Sequence, residues 1–364
     1  MIINFFSDFC FPGGIPVHQG ELAERLSVLY GHTVRVCVPW PLLYDMEEHK
    51  QFIEKADKEN RLEEIFYGLK YLTKITGRDM LSEMIDSADI NHFHGSFSTN
   101  RAFLGDAIAL SKNKQRNFYT FHSEAINPKC RSDFHELKKR ISNIQTVCTV
   151  SENVSKSVAA LFPDISTIIT ENGYAVSGNA KSEKKISDFT VLYIGRLNKT
   201  KGIENVLRLA EDIKNTDIKL IIAGSAEFDK IYDFRVAEIV NHKNIHWISH
   251  SLSRNEIMQL YDTADVLYLP SQMEGRSLVV LDAIANGCVP VVSHVGNLEN
   301  VITSNKNGYI FNYDDYTSQL KAILHLYSNR DCLKNMKEEL LNTKLTSWED
   351  TAKLLDKMYN GVLK

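Results

Sequence analysis

The feature that most constrains this chain is an alternation of short apolar runs with helical periodicity. It continues along the whole length and is broken once, by the polar, aperiodic stretch SGNAKSEKKISD at 177–188. A parallel strand buried on both faces reads as a continuous apolar run, and its crossover to the next strand is usually a helix. Such runs predict strands near 2–7, 33–38, 89–94, 117–122, 146–150 and 167–170, and again near 191–194, 219–223, 245–248, 266–269, 290–293 and 309–311. The expectation is an α/β chain of two doubly wound parallel sheets. At 364 residues it is long enough for two cores. The break at 177–188 reads as a linker between a first domain, 1–176, and a second, 189–346.

The stretch PSQMEGRSLVVLDAIANGCVPVV, 270–292, carries the most chemistry. The run before it predicts a buried strand, and helical spacing resumes at Leu278 with Leu281, Ile284 and Ala285, stopping at Gly287. Glu274 therefore falls in the loop and Asp282 within the helix. Between them, the unpaired backbone amides around Arg276, Ser277 and Leu278 form a partial positive charge suited to phosphate. Two acids flanking an anion site suit a nucleotide-activated sugar, although acids near helix starts also occur for dipole reasons alone.

A second segment, FTVLYIGRLNKTKGIENVLRLAEDI at 189–213, places a basic loop with Arg196, Lys199 and Lys201 between an apolar strand and an amphipathic helix. At the carboxyl edge of an open sheet, Arg grips phosphate with its fork and Lys neutralises it as a point charge. A solvated basic loop would have the same composition.

On these residues the chain resembles the retaining glycosyltransferases of family 4. GRLNKTKG, 195–202, looks like that family's Gly-Arg-Leu, three-residue gap, Lys-Gly motif. EGRSLVVLD, 274–282, looks like its pair of glutamates separated by seven residues. The resemblance implies a GT-B fold, two Rossmann-like domains with an interdomain cleft. It also implies donor-diphosphate contacts at Arg196 and Lys201, a contact of Glu274 with the transferred sugar, and a ribose contact at Asp282. Three residues depart from the family pattern: Asp282 is one methylene shorter than the family's second acid, and Arg276 and Ser277 replace its apolar residue and glycine.

The first half carries further marks. Gly13 and Gly14 follow the first strand and allow close approach of a ligand to the backbone. The resemblance puts them, with Ile15, beside the donor phosphate and sugar. His122 closes the strand NFYTFH and resembles the family's strand-end histidine next to the sugar. ENGYAV, 171–176, resembles the turn before the interdomain crossover, and SWEDTAKLLDKMY resembles the closing helix, so 347–364 is expected to return to the first domain.

Composition sets limits. An apolar fraction of 43%, a charged fraction of 24% and a formal net charge of −4 fit a soluble globular protein and exclude a generally basic, nucleic-acid-binding surface. No apolar run reaches the roughly 18 residues of a membrane span, and no positively charged leader is visible, so the expectation is cytoplasmic. The basic residues Lys129, Arg131, Lys138, Lys139 and Arg140 extend it to a peripheral contact at the inner face of the membrane, although a solvated helix face is the simpler account. Cys10, Cys37, Cys130, Cys148, Cys288 and Cys332 have no paired spacing and read as reduced thiols. His92 and His94 share a strand face without an acid or Cys cluster, so no metal is expected. The G-x-G-x-x-G fingerprint is absent from Gly13-Gly14 and from Ala223-Gly224-Ser225, which argues against a dehydrogenase.

The resulting expectation is a retaining transferase moving a sugar from a nucleotide-diphosphate donor, a UDP-sugar in preference to a GDP-sugar, to a hydroxyl of a glycan or glycolipid acceptor. No separate cofactor is expected. A nucleotide-sugar epimerase, a phosphorylase and a non-catalytic nucleotide-sugar-binding subunit remain open alternatives on the same fold.

Overall fold

The computed structural model describes residues 1–7, 13–40, 58, 69–97, 102–124, 134–177, 189–226, 231–250 and 252–363. It divides into two compact units, Met1–Gly173 with Thr346–Lys364, and Tyr174–Leu345. Most of the linker expected at 177–188, together with Cys10, Cys130, Lys129 and Arg131, lies outside the described residues.

The first unit is built on a seven-stranded sheet, β1 (Ile2–Phe6), β2 (Thr33–Pro39), β3 (Leu72–Ile75), β4 (Ile90–Gly95), β5 (Asn117–Phe121), β6 (Thr146–Thr149) and β7 (Thr167–Ile169). The strands run parallel in the order β3-β2-β1-β4-β5-β6-β7. The helices are α1 (Gly14–Tyr30), α2 (Arg78–Asp86), α3 (Ala102–Leu110), α4 (Phe134–Ser142) and α5 (Glu152–Leu161). Strand β3 has no counterpart among the sequence expectations. It is an edge strand with only Ile75 buried, so it never forms a continuous apolar run. On α4, Leu137 and Ile141 are buried while Lys138 and Lys139 face solvent, so this part of the basic segment is a solvated helix face.

The second unit has six parallel strands, β8 (Phe189–Ile194), β9 (Ile218–Ala223), β10 (Ile245–Ile248), β11 (Val266–Leu269), β12 (Val289–Ser293) and β13 (Tyr309–Phe311), in the order β10-β9-β8-β11-β12-β13. Its helices are α6 (Ile203–Ile213), α7 (Ile231–Ile239), α8 (Arg254–Thr263), α9 (Leu278–Ala285), α10 (Tyr316–Ser328) and α11 (Arg330–Leu341). Every residue of β8, β11 and β12 is buried, as central parallel strands require. The unit begins at Tyr174 because Tyr174 and Ala175 pack against this core, so the division falls earlier than the position after Val176 read from sequence.

The last helix, α12 (Trp348–Val362), belongs to the first unit. Ser347 and Asp350 form a capping box at its start, and Trp348 and Tyr359 are fully buried. Arg25 pairs with Glu349 at 2.9 Å, and His32 meets Asp356 at 2.7 Å. Gly173 fits beneath this helix: a Cβ there would stand 2.4 Å from the Trp348 nitrogen.

Candidate functional site

In the second sheet the strand order reverses between β8 and β11, the position where open α/β sheets bind ligands beyond their carboxyl ends. The loops that follow these two strands are pressed together. Gly202 adopts φ +74°, and a Cβ at that position would lie 1.8 Å from the Pro270 carbonyl oxygen. The Gln272 amide donates to the Thr200 carbonyl at 2.8 Å. Within the basic loop, the Asn198 side chain accepts from the Lys201 amide at 2.9 Å, folding Lys199–Lys201 into a 3-10 turn. Buried Tyr193 donates to the Arg196 carbonyl at 2.8 Å, and burial pushes its phenol pKa up, so it stays a neutral donor.

This backbone seam brings Lys201 and Glu274 together. Lys201 Nζ donates to Glu274 Oε1 at 2.7 Å, and Ser271 Oγ donates to the same oxygen at 2.8 Å. The Glu274 side chain is 9% exposed and that of Lys201 21%, so the pair is neither deeply buried nor fully screened. Arg196 lies on the same loop and is exposed.

Helix α9 begins at Leu278, as its periodicity predicts. Ser277 is its N-cap residue, yet no side chain caps the turn and no acid lies in it. Its first amides therefore keep the partial positive charge of an open helix start. The Arg276 side chain is buried and donates to the Asn297 carbonyl at 2.9 Å. Gly296 (φ +69°) and Asn297 (φ 59°) turn sharply behind the acidic loop, where a Cβ on Gly296 would approach Glu274 Cβ to 2.9 Å. This supporting turn was missed from sequence, although Gly-Asn between a strand and a helix is a turn signal.

Asp282 is 3% exposed. Its Oδ1 accepts from the Ala175 amide at 2.7 Å, and its Oδ2 pairs with Arg254 Nη1 at 3.1 Å. Both carboxylate oxygens thus have protein partners, which the expected ribose contact did not foresee.

In the first unit, Gly13 is extended at φ 174°, a conformation open to any residue, and its carbonyl accepts the Val17 amide at 3.2 Å. Among the described residues, a Cβ on Gly14 would meet nothing within 4 Å, whereas Ile15 is buried. Residues 8–12 lie outside the described residues. His122 follows β5, and its Nε2 is 3.2 Å from His94 Nδ1 on β4. His18 on α1 meets the His122 ring edge-on at 4.7 Å and bonds Asn172 Oδ1 at 2.8 Å through Nδ1. Burial lowers the His18 pKa to about 4, with the Asn172 bond opposing. Burial, then neighbouring histidines, hold those of His94 and His122 well below the usual value. All three rings are therefore neutral near pH 7.

One nitrogen from each of His18, His94 and His122 lies within 4.8 Å of the others, which makes this the metal-compatible group among the described residues. No carboxylate belongs to it to offset a cation's charge. His92, paired with His94 in the sequence reading, is instead occupied by the Tyr359 hydroxyl at 2.6 Å and Thr120 Oγ1 at 2.7 Å. The cysteines Cys37, Cys148, Cys288 and Cys332 are free thiols. No helix among the described residues is long and apolar enough to cross a membrane.

Residues 178–342 match the family of glycosyl transferases group 1. The architecture, two all-parallel α/β units, is GT-B, and the family match falls within the second unit. The chain is 27% identical to an uncharacterized glycosyltransferase of Methanocaldococcus jannaschii, over 94% of this chain and 92% of the relative. Matching glycogen synthases are longer, and the chain spans 37% of the one from Alkaliphilus metalliredigens, at 29% identity over 46% of this chain. In structure it resembles a glycosyltransferase of Rickettsia africae, with TM-score 0.73 at 17% identity, covering 100% of this chain and 98% of that one. It also resembles Anabaena HepE, solved in complex with UDP and glucose, with TM-score 0.72 at 13% identity, covering 99% and 100%.

Proposed function

We propose that this protein is a retaining glycosyltransferase that moves a sugar from a nucleotide-diphosphate donor, a UDP-sugar in preference to a GDP-sugar, to a hydroxyl of a glycan or glycolipid acceptor in cell-surface polysaccharide synthesis. The observation that carries this reading is the meeting of Lys201 and Glu274 at 2.7 Å, at the switch point of the second sheet and beside the uncapped start of α9. Anabaena HepE, of similar fold, holds UDP and glucose, which supports the uridine preference.

In this reading Arg196, Lys201 and the amides of Arg276, Ser277 and Leu278 receive the diphosphate. Their contribution grows as negative charge develops on the departing group, which is transition-state stabilisation rather than docking alone. Glu274 orients the transferred sugar. Its Oε1 is already held by Lys201 and Ser271, so the acid is a positioning and charge-stabilising group and not a free nucleophile. In the first unit, Gly13 and Gly14 border the donor, with open space at Gly14 among the described residues, and His122 serves a sugar hydroxyl as a neutral imidazole. The reaction takes place on the cytoplasmic side, with peripheral contact at the inner face of the membrane for a lipid-linked acceptor.

Thermal unfolding across uridine, guanosine and adenosine diphosphates tests the donor assignment, because a ligand that binds only the folded state raises apparent stability. The expected result is a rise with UDP larger than with GDP or ADP. Equal or absent shifts with all three contradict it.

A further inference from the structure

The helical acid Asp282 does not act alone. Asn286, one turn further along and in the C-cap position of α9, sits on the same face. Its Oδ1 accepts from the Ser177 amide at 2.7 Å, and its Nδ2 donates to the Ala175 carbonyl at 2.9 Å. Asp282 Oδ1 takes the Ala175 amide at 2.7 Å. Three consecutive backbone groups along one edge of the Tyr174–Ser177 segment are therefore matched by two side chains, much as a neighbouring strand would match them. Ser177 Oγ adds a bond to Asp262 Oδ2 on α8 at 2.7 Å, and Arg254 on α8 closes on Asp282 Oδ2 at 3.1 Å.

We propose that Asp282 and Asn286 are positioning residues, a two-residue clamp that fastens the entering segment Tyr174–Ser177 and α8 to α9. Asp is the acid that fits this task. The carboxylate stays close to the helix, 3% exposed, and reaches the Ala175 amide. The clamp acts on the donor site through α9 itself, whose first turn carries Ser277 and Leu278. A helix tethered at its second turn and its C-cap cannot slide or tilt away from the loop that holds Glu274. The effect on donor kinetics rests on the function proposed above, whereas the clamp itself does not.

Two experiments separate the roles. In ligand-free protein, hydrogen exchange should find the Ala175 and Ser177 amides as protected as those of β8 and β11, and Asn286→Leu should speed their exchange by roughly tenfold or more, the scale of a lost buried hydrogen bond. Exchange of these amides at the rate of unstructured chain in the wild-type protein overturns the clamp without any variant having to fold. In steady-state kinetics with a UDP-sugar, the clamp predicts that Asn286→Leu and Asp282→Asn each change kcat together with donor KM. A ribose ligand would instead give Asp282→Asn a raised donor KM alone and leave Asn286→Leu at wild-type values, and that pattern overturns the assignment. Should no donor release UDP, the proposed function fails while the exchange experiment still decides the clamp.

Discussion

Replacing Lys201 by Met keeps the length of the side chain and removes its charge. The 2.7 Å contact to Glu274 Oε1 is a charge-assisted hydrogen bond, and the same ammonium is the proposed partner of the departing diphosphate. Such a contact contributes about 1.5–3 kcal/mol, which corresponds to a fall in turnover at saturating donor of roughly 10- to 150-fold. Side-chain exposures of 21% and 9% argue against the larger penalties of a fully buried pair. Because Lys201 and Glu274 touch, their effects should not add. Glu274→Gln alone should lower turnover by a similar factor, and the double variant should fall short of the product of the single losses by a coupling of about 0.5–3 kcal/mol. The assay is initial-rate UDP release at saturating donor for the four members of the cycle. Near-normal turnover in Lys201→Met, or strict additivity, would refute the reasoning that the pair works as a unit.

Three further outcomes follow from the geometry. Gly202→Ala should lose about 2–5 kcal/mol in urea unfolding, combining left-handed strain on a non-glycine residue with overpacking against the Pro270 carbonyl, and a change within about 0.5 kcal/mol would contradict the backbone seam. Cys37 and Cys148, whose thiols burial pushes up to about 12, should escape maleimide labelling of the native protein at pH 8 and react only on unfolding, as peptide mass spectrometry would report. His122→Ala should lower turnover at saturating donor by roughly tenfold while leaving the dissociation constant for UDP unchanged, and weakened UDP binding would place His122 elsewhere.

Much of this was legible in the sequence, for a physical reason. Parallel strands such as FTVLYI and VLYL are buried on both faces, so their positions could be read directly as apolar runs. The start of α9 at Leu278 was equally plain, because periodicity and the stop at Gly287 bracket it. Strand β3 was missed because an edge strand with a single buried residue lacks that signature. Candidate site residues on the loops were legible as types and spacings. Their partners were not: Ser271 and Asn198 bond groups three residues away on their own loops, too local to show in the apolar pattern, and the Gly296-Asn297 turn meets the Glu274 loop only in the fold. Asp282 illustrates the limit best: its spacing from Glu274 and the family resemblance marked it as a ribose contact, while its protein partners, Ala175 and Arg254, come from segments 107 and 28 residues away. The histidine group is similar, since His18 reaches His94 and His122 only once α1 packs on the sheet.

In the proposed reaction a sugar leaves a nucleotide diphosphate for an acceptor hydroxyl with its anomeric configuration kept. Proton NMR of the purified protein incubated with a UDP-α-sugar and a sugar-alcohol or glycolipid acceptor tests this in one measurement, because free UDP, the anomeric coupling of the product and any new nucleotide sugar are resolved together. The expected result is UDP released in step with an α-linked product. A new nucleotide sugar formed without acceptor, a β-linked product, or donor left intact beside every acceptor would contradict it.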